Sequence, residues 1–159
     1  MSLGHFITFS CYKRERLLDH EKARRIMVHF LDAQLKKQNA SCMGFVVMPN
    51  HVHSLVRFGD SEHLSVFVGQ WKRRSSMALK DLFRNDLVEF GKRIDLEKPI
   101  WQRRFYSFEI YSESKAIEKL QYMHNNPVKA GLVSAPEDWP HSSARYVFQG
   151  KSVGVPIDK

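Results

Sequence analysis

The chain has 159 residues, with 25 Lys and Arg against 17 Asp and Glu and a formal charge of +8. A content of 43% hydrophobic and 26% charged residues excludes the disordered class, and no run of about 18 apolar residues is present to span a membrane. Two cysteines, Cys11 and Cys42, exclude a disulfide framework or a Cys/His zinc spacing, and the polar, acid-containing N-terminus lacks a signal-peptide layout, so a soluble intracellular domain is expected.

His5–Tyr12 is β-branched and aromatic with near-alternation and reads as a strand. From Asp19, which supplies a helix start, Ala23, Ile26, Met27, Phe30, Leu31 and Leu35 recur at three- and four-residue steps, one face of an amphipathic helix that ends at Lys36-Lys37 and Asn39. Two apolar runs, Cys42–Met48 and His51–Phe58, flank Pro49-Asn50 and predict a hairpin. Leu64, Phe67, Val68, Trp71, Ala78, Leu79 and Leu82 predict a second helix over 63–84, with Ser75 as its one polar gap. A polar connection follows over 85–99.

Arg104–Tyr111 alternates and reads as a further strand. A third helix, capped by Ser112 or Ser114, carries Ile117, Leu120 and Met123 or His124 on its apolar edge and ends near Pro127. The order β-α-β-β-α-β-α is that of an α+β, ferredoxin-like split βαβ sandwich, an antiparallel sheet with helices packed on one face. A single domain is expected over 1–159, with a core of about 5–133 and an irregular C-terminal tail of about 134–159. The tail can wrap onto the body or cover a site, and packing is the role expected of Trp139.

Strand alternation puts His51 and His53 on one face, their Cα atoms roughly 6.5 Å apart, close enough for two imidazoles to meet at one divalent ion. Such a site needs another ligand and something to activate. Tyr122 lies about 140° around the third helix from Ile117, off the apolar edge, and Asn126 is only about 40° from Tyr122. The residues alone favour a packing role for Tyr122 and allow Asn125-Asn126-Pro127 to be a helix stop.

Val-Met-Pro-Asn-His-Val-His (47–53), Tyr-Met-His-Asn-Asn-Pro-Val-Lys-Ala-Gly-Leu-Val (122–133), Trp101–Tyr106 and Pro136–Ala144 together resemble the IS200-like tyrosine transposases, and more closely their REP-associated branch. The resemblance runs from His5 to about Phe148. It implies a His-hydrophobic-His single-strand DNA endonuclease and strand transferase. In that reading His51 and His53 hold Mg²⁺ or Mn²⁺, Asn126 is the third metal ligand and Tyr122 is the nucleophile. Some relatives carry glutamine where Asn126 stands, a longer reach to the ion.

The reaction implied is nicking and rejoining of single-stranded DNA at hairpin elements through a 5′-phosphotyrosine. The alternative is a domesticated hairpin-binding protein with little catalysis, and a third reading is a phosphohydrolase that uses water. Lys119 and Glu118, one turn behind Tyr122, are candidates for its base or an ordinary solvated face. Lys13, Arg14, Arg16, Lys72, Arg73, Arg74, Arg103 and Arg104 are the expected contacts to single-stranded or hairpin DNA. A cytoplasmic, nucleoid-associated protein is expected, a monomer or a homodimer that exchanges tyrosine helices, with the tail favouring the monomer.

Overall fold

The computed structural model describes residues 1–59 and 63–158. The chain forms β1 (Gly4–Ser10), α1 (Glu21–Lys37), β2 (Ser41–Val47), β3 (His51–Arg57), α2 (Leu64–Asn85), α3 (Val88–Gly91), β4 (Tyr106–Ile110), α4 (Glu113–Lys129) and α5 (Ala144–Gln149). All neighbouring strands are antiparallel, in the order β2-β3-β1-β4. That is the ferredoxin-like arrangement.

Alternation gives the sheet two apolar faces. Ile7, Phe9, Phe45, Val47, Val52 and Val56 face α1 and α2, where Met27, Leu31, Phe67, Trp71 and Leu79 complete the main core. Phe6, Val46, Leu55 and Ile110 point the other way, onto Ala116 and Met123 of α4 and onto Trp139. The two helices of the split βαβ unit thus share one face, and α4 covers the other. Its approach depends on β2, where a bulge between Cys42 and Gly44 sets Met43 opposite no partner. A Cβ at Gly44 would run into Leu120 and lie 3.2 Å from Met123 Cε, so glycine lets α4 settle on the sheet.

Local details depart from the sequence expectation for identifiable reasons. Helix α1 is capped by His20, whose Nδ1 accepts from Lys22 N, because Asp19 is engaged with Arg16. Of the two caps expected for α4, Ser112 is the one used, accepting from Lys115 N. Helix α4 passes through Pro127 to Lys129, because a proline in the last turn sacrifices a single backbone bond. Ser75 is fully buried and accepts from Trp101 Nε1 at 3.1 Å, so the polar gap in α2 anchors the segment entering β4. The connection 85–99 contains α3, which the sequence reading missed.

The tail wraps onto the body at the free edge of β2. Val47 N donates to His141 O, while the β2 carbonyls of Phe45 and Cys42 accept from Ser143 N and Asp158 N, so backbone groups that an edge strand would expose are paired. Trp139 is buried and donates from Nε1 to Val47 O at 2.9 Å. Among the described residues no helix is long and apolar enough to cross a membrane.

Candidate metal and tyrosine site

Strand register assembles the site. His53 pairs with Thr8, and Thr8 with Tyr106, so one cross-strand row on the α4 face carries an imidazole, a hydroxyl and a phenol. His51 lies on the same face two residues earlier, and its ring centroid is 4.7 Å from that of His53. Phe6, in the next row, stacks on His53 at 5.2 Å. Helix α4 closes the site from above and lays Tyr122 5.5 Å from His53, centroid to centroid. A cavity of about 390 Å³ separates these groups, with Arg14, Lys119 and Asn126 also in its wall.

Hydrogen bonds set the imidazole tautomers. His51 Nδ1 donates to Asn50 Oδ1 at 2.7 Å, which leaves the Nε2 lone pair free. His53 Nδ1 lies 2.7 Å from Thr8 Oγ1, while Asn126 Nδ2 points at His53 Nε2 across 3.5 Å. An amide N–H aimed at Nε2 requires a lone pair there, so Nδ1 carries the proton and donates to Thr8. Both rings therefore present Nε2 as a donor atom toward the cavity, each oriented by a partner behind it.

Burial first, and then nearby Arg14, push the pKa of His51 down to about 4. Burial, followed by the charges of His51, Lys119 and Arg14, pushes that of His53 down to about 3. At neutral pH both imidazoles are uncharged, the state that binds a metal.

Among the described residues no three His, Cys, Asp or Glu side chains converge as a metal cluster. The amide of Asn126 lies beside them in the cavity wall with Nδ2 toward His53, and rotation of the amide by half a turn would present Oδ1 instead. Two imidazoles and an amide oxygen meeting at a cavity fit a divalent ion with open positions, and leave room for a substrate oxygen.

Tyr122 is 48% exposed and reachable from solvent, unlike His53. Its ring edges against Phe6 at 6.2 Å. Lys119 Nζ sits over three rings, 5.1 Å from Phe6, 5.4 Å from Phe108 and 5.7 Å from Tyr122. The whole site belongs to one chain: Tyr122 faces the His51/His53 pair of its own polypeptide.

The expected DNA contacts separate into groups. Arg14 enters the cavity wall and donates to Ser10 Oγ at 3.2 Å. It follows Lys13 in a turn where both residues have left-handed φ, 53° and 54°, held by Arg14 N donating to Cys11 O. Arg16 points elsewhere, forked onto the Asp19 carboxylate at 3.0 and 3.1 Å. Lys72 is committed internally, donating to the carbonyls of Gln102 at 2.7 Å and Arg103 at 3.2 Å. Arg73, Arg74, Arg103 and Arg104 are exposed. Sequence reasoning missed Thr8 and Asn50, which touch the imidazoles.

A larger apolar cavity of about 760 Å³ opens on the other flank of α4, between Met43, Ile117, Leu120 and Val147. Arg57, Glu113 and Asp158 also line it, and it holds no imidazole.

A Haemophilus influenzae protein described as a REP-associated tyrosine transposase is 30% identical over 100 residues, 61% of this chain. The match spans 54% of that relative, about half its length. Among solved structures, a REP-associated tyrosine transposase bound to a REP hairpin superposes with a TM-score of 0.70 at 24% identity, covering 99% of this chain and 88% of that one. A Deinococcus radiodurans structure described as a transposase gives 0.55 at 18% identity, covering 79% and 91%. These two share the fold. The model of the family "Transposase IS200 like" matches residues 3–126, from the start of β1 to Asn126, and the chain belongs to that IS200-like transposase family.

Proposed function

We propose that the chain is a metal-dependent tyrosine transposase that nicks and rejoins single-stranded DNA beside hairpins, with Tyr122 as nucleophile. The observation that carries this reading is the convergence of two oriented, uncharged imidazoles, an amide and a solvent-reachable tyrosine on one cavity. Bound by His51, His53 and Asn126, Mg²⁺ or Mn²⁺ supplies Lewis acidity that neutralises the phosphate.

Tyr122 Oη attacks the phosphorus and gives up its proton to solvent, while the bond from phosphorus to O3′ breaks and the leaving O3′ takes up a proton. The products are a 5′-phosphotyrosine and a free 3′-OH. The ester bond is conserved, so a second 3′-OH can reverse the step without ATP. Lys13, Arg14, Arg73, Arg74, Arg103 and Arg104 hold the strand electrostatically, with Arg16 and Lys72 contributing less because of their internal partners.

Hairpin recognition is supported by the REP hairpin in the solved relative of the same fold. The complete site in one chain supports action as a monomer.

The test uses end-labelled single-stranded DNA with a hairpin, incubated with Mn²⁺ or Mg²⁺. Wild type should nick it, and His51→Ala or His53→Ala should lower nicking by at least about 100-fold. Binding without nicking would favour a domesticated hairpin binder. Nicking that survives Tyr122→Phe would favour a water-using phosphohydrolase.

A further inference from the structure

We infer that Tyr106 and Lys119 form a nucleotide subsite beside the cut phosphate, with Tyr106 stacking an unpaired base and Lys119 holding the adjoining phosphate. The inference rests on the proposed activity only for which phosphate is cut.

Three observations carry it. Tyr106 belongs to the row His53–Thr8–Tyr106, so two strand spacings put it roughly 10 Å from His53 along the sheet face. Its ring lies in the wall of the same cavity as Tyr122 yet is 58% exposed, on an edge strand where no further strand covers it. A large π-face left open beside a cationic cavity is the element that single-strand binders use to take a base without reading its sequence.

Lys119 supplies the charge. It projects from α4 into that cavity, and the three rings of Phe6, Phe108 and Tyr122 surround its ammonium at 5.1 to 5.7 Å. Phe108 is the next residue on the same face of β4 as Tyr106, so base platform and cation are neighbours. Cation–π contacts fix where the ammonium sits while leaving its N–H donors for an anion. A base-paired nucleotide could not reach this arrangement, because its faces are stacked within the duplex. The subsite therefore selects a single-stranded nucleotide flanking the cleaved one.

The test is equilibrium binding of hairpin DNA with a single-stranded extension, read by fluorescence anisotropy in a metal chelator so that no strand is cut. Tyr106→Ala should weaken binding about 5- to 100-fold, with Tyr106→Phe close to wild type. An abasic nucleotide scanned along the extension should, at one position, weaken wild type by the same factor and leave Tyr106→Ala unaffected. Losses that multiply at every position would overturn the stacking. Lys119→Met should flatten the plot of log affinity against log salt by about 0.7, and an unchanged slope would overturn the phosphate contact. The expected binding pattern with no covalent adduct in metal would sink the strand-cutting reading and leave the subsite standing.

Discussion

Two histidines separated by one residue prove little until something orients them, and Asn50 and Thr8 do so. Their hydrogen bonds to Nδ1 make Nε2 the free atom in each ring. Asn50→Ala or Thr8→Val is expected to weaken Mn²⁺ binding about 10- to 100-fold while leaving the fold intact, measurable by calorimetry alongside circular dichroism. Equal affinity in both variants would show that packing alone holds the rings. Periodicity put His51 with His53 on one strand face and Tyr122 with Asn126 on one helix face, and the resemblance of the motifs around them joined the four in one expected site. Thr8 and Lys119 could not be assigned their contacts, since those depend on cross-strand register and on where α4 lies over Phe6.

At the scale of elements, the close contact of α4 with the sheet decides where Tyr122 stands. Gly44→Val would drive a side chain into Leu120 and Met123, and a loss of about 1–3 kcal/mol in denaturant unfolding is expected. Nicking should fall further than stability predicts, because the tyrosine moves with its helix. The tail is tied in by Ser143, whose Oγ accepts from Phe45 N at 3.0 Å and meets His124 Nε2 at 2.8 Å. Ser143→Ala leaves those buried groups unpaired and should cost about 1–3 kcal/mol in the same measurement. Strands and long helices were legible because each buries a regular apolar stripe. The pairing of the tail with β2 was not, since isolated bridges at Ser142 and Ile157 have no periodic signature.

For the molecule as a whole, burial pushes the pKa of His124 and His141 each down to about 4. Unfolded histidine titrates near 6.5, so between about 6.5 and 4 the unfolded chain binds more protons than the folded one. Stability is then fully present above about pH 6.5 and is lost as pH falls toward 4. The melting temperature should be flat from about pH 6.5 to about 8, below the range where unfolded thiols ionise, and drop on the acid side, and His124→Gln should shallow that drop. A melting temperature that rises on acidification would contradict the buried, neutral state of these rings. The +8 charge of the sequence suggested only a polyanion; the fold concentrates Arg14 and Lys119 in the wall of the cavity that Tyr122 lines.

The proposed mechanism requires above all that Tyr122 become covalently joined to DNA. Hairpin-containing single-stranded DNA incubated with Mn²⁺ should yield a protein–DNA adduct stable to denaturation, and mass spectrometry of its peptides should find the 5′-phosphate on Tyr122. Tyr122→Phe should give no adduct. Nicking without an adduct, or an adduct on another residue, would contradict the mechanism.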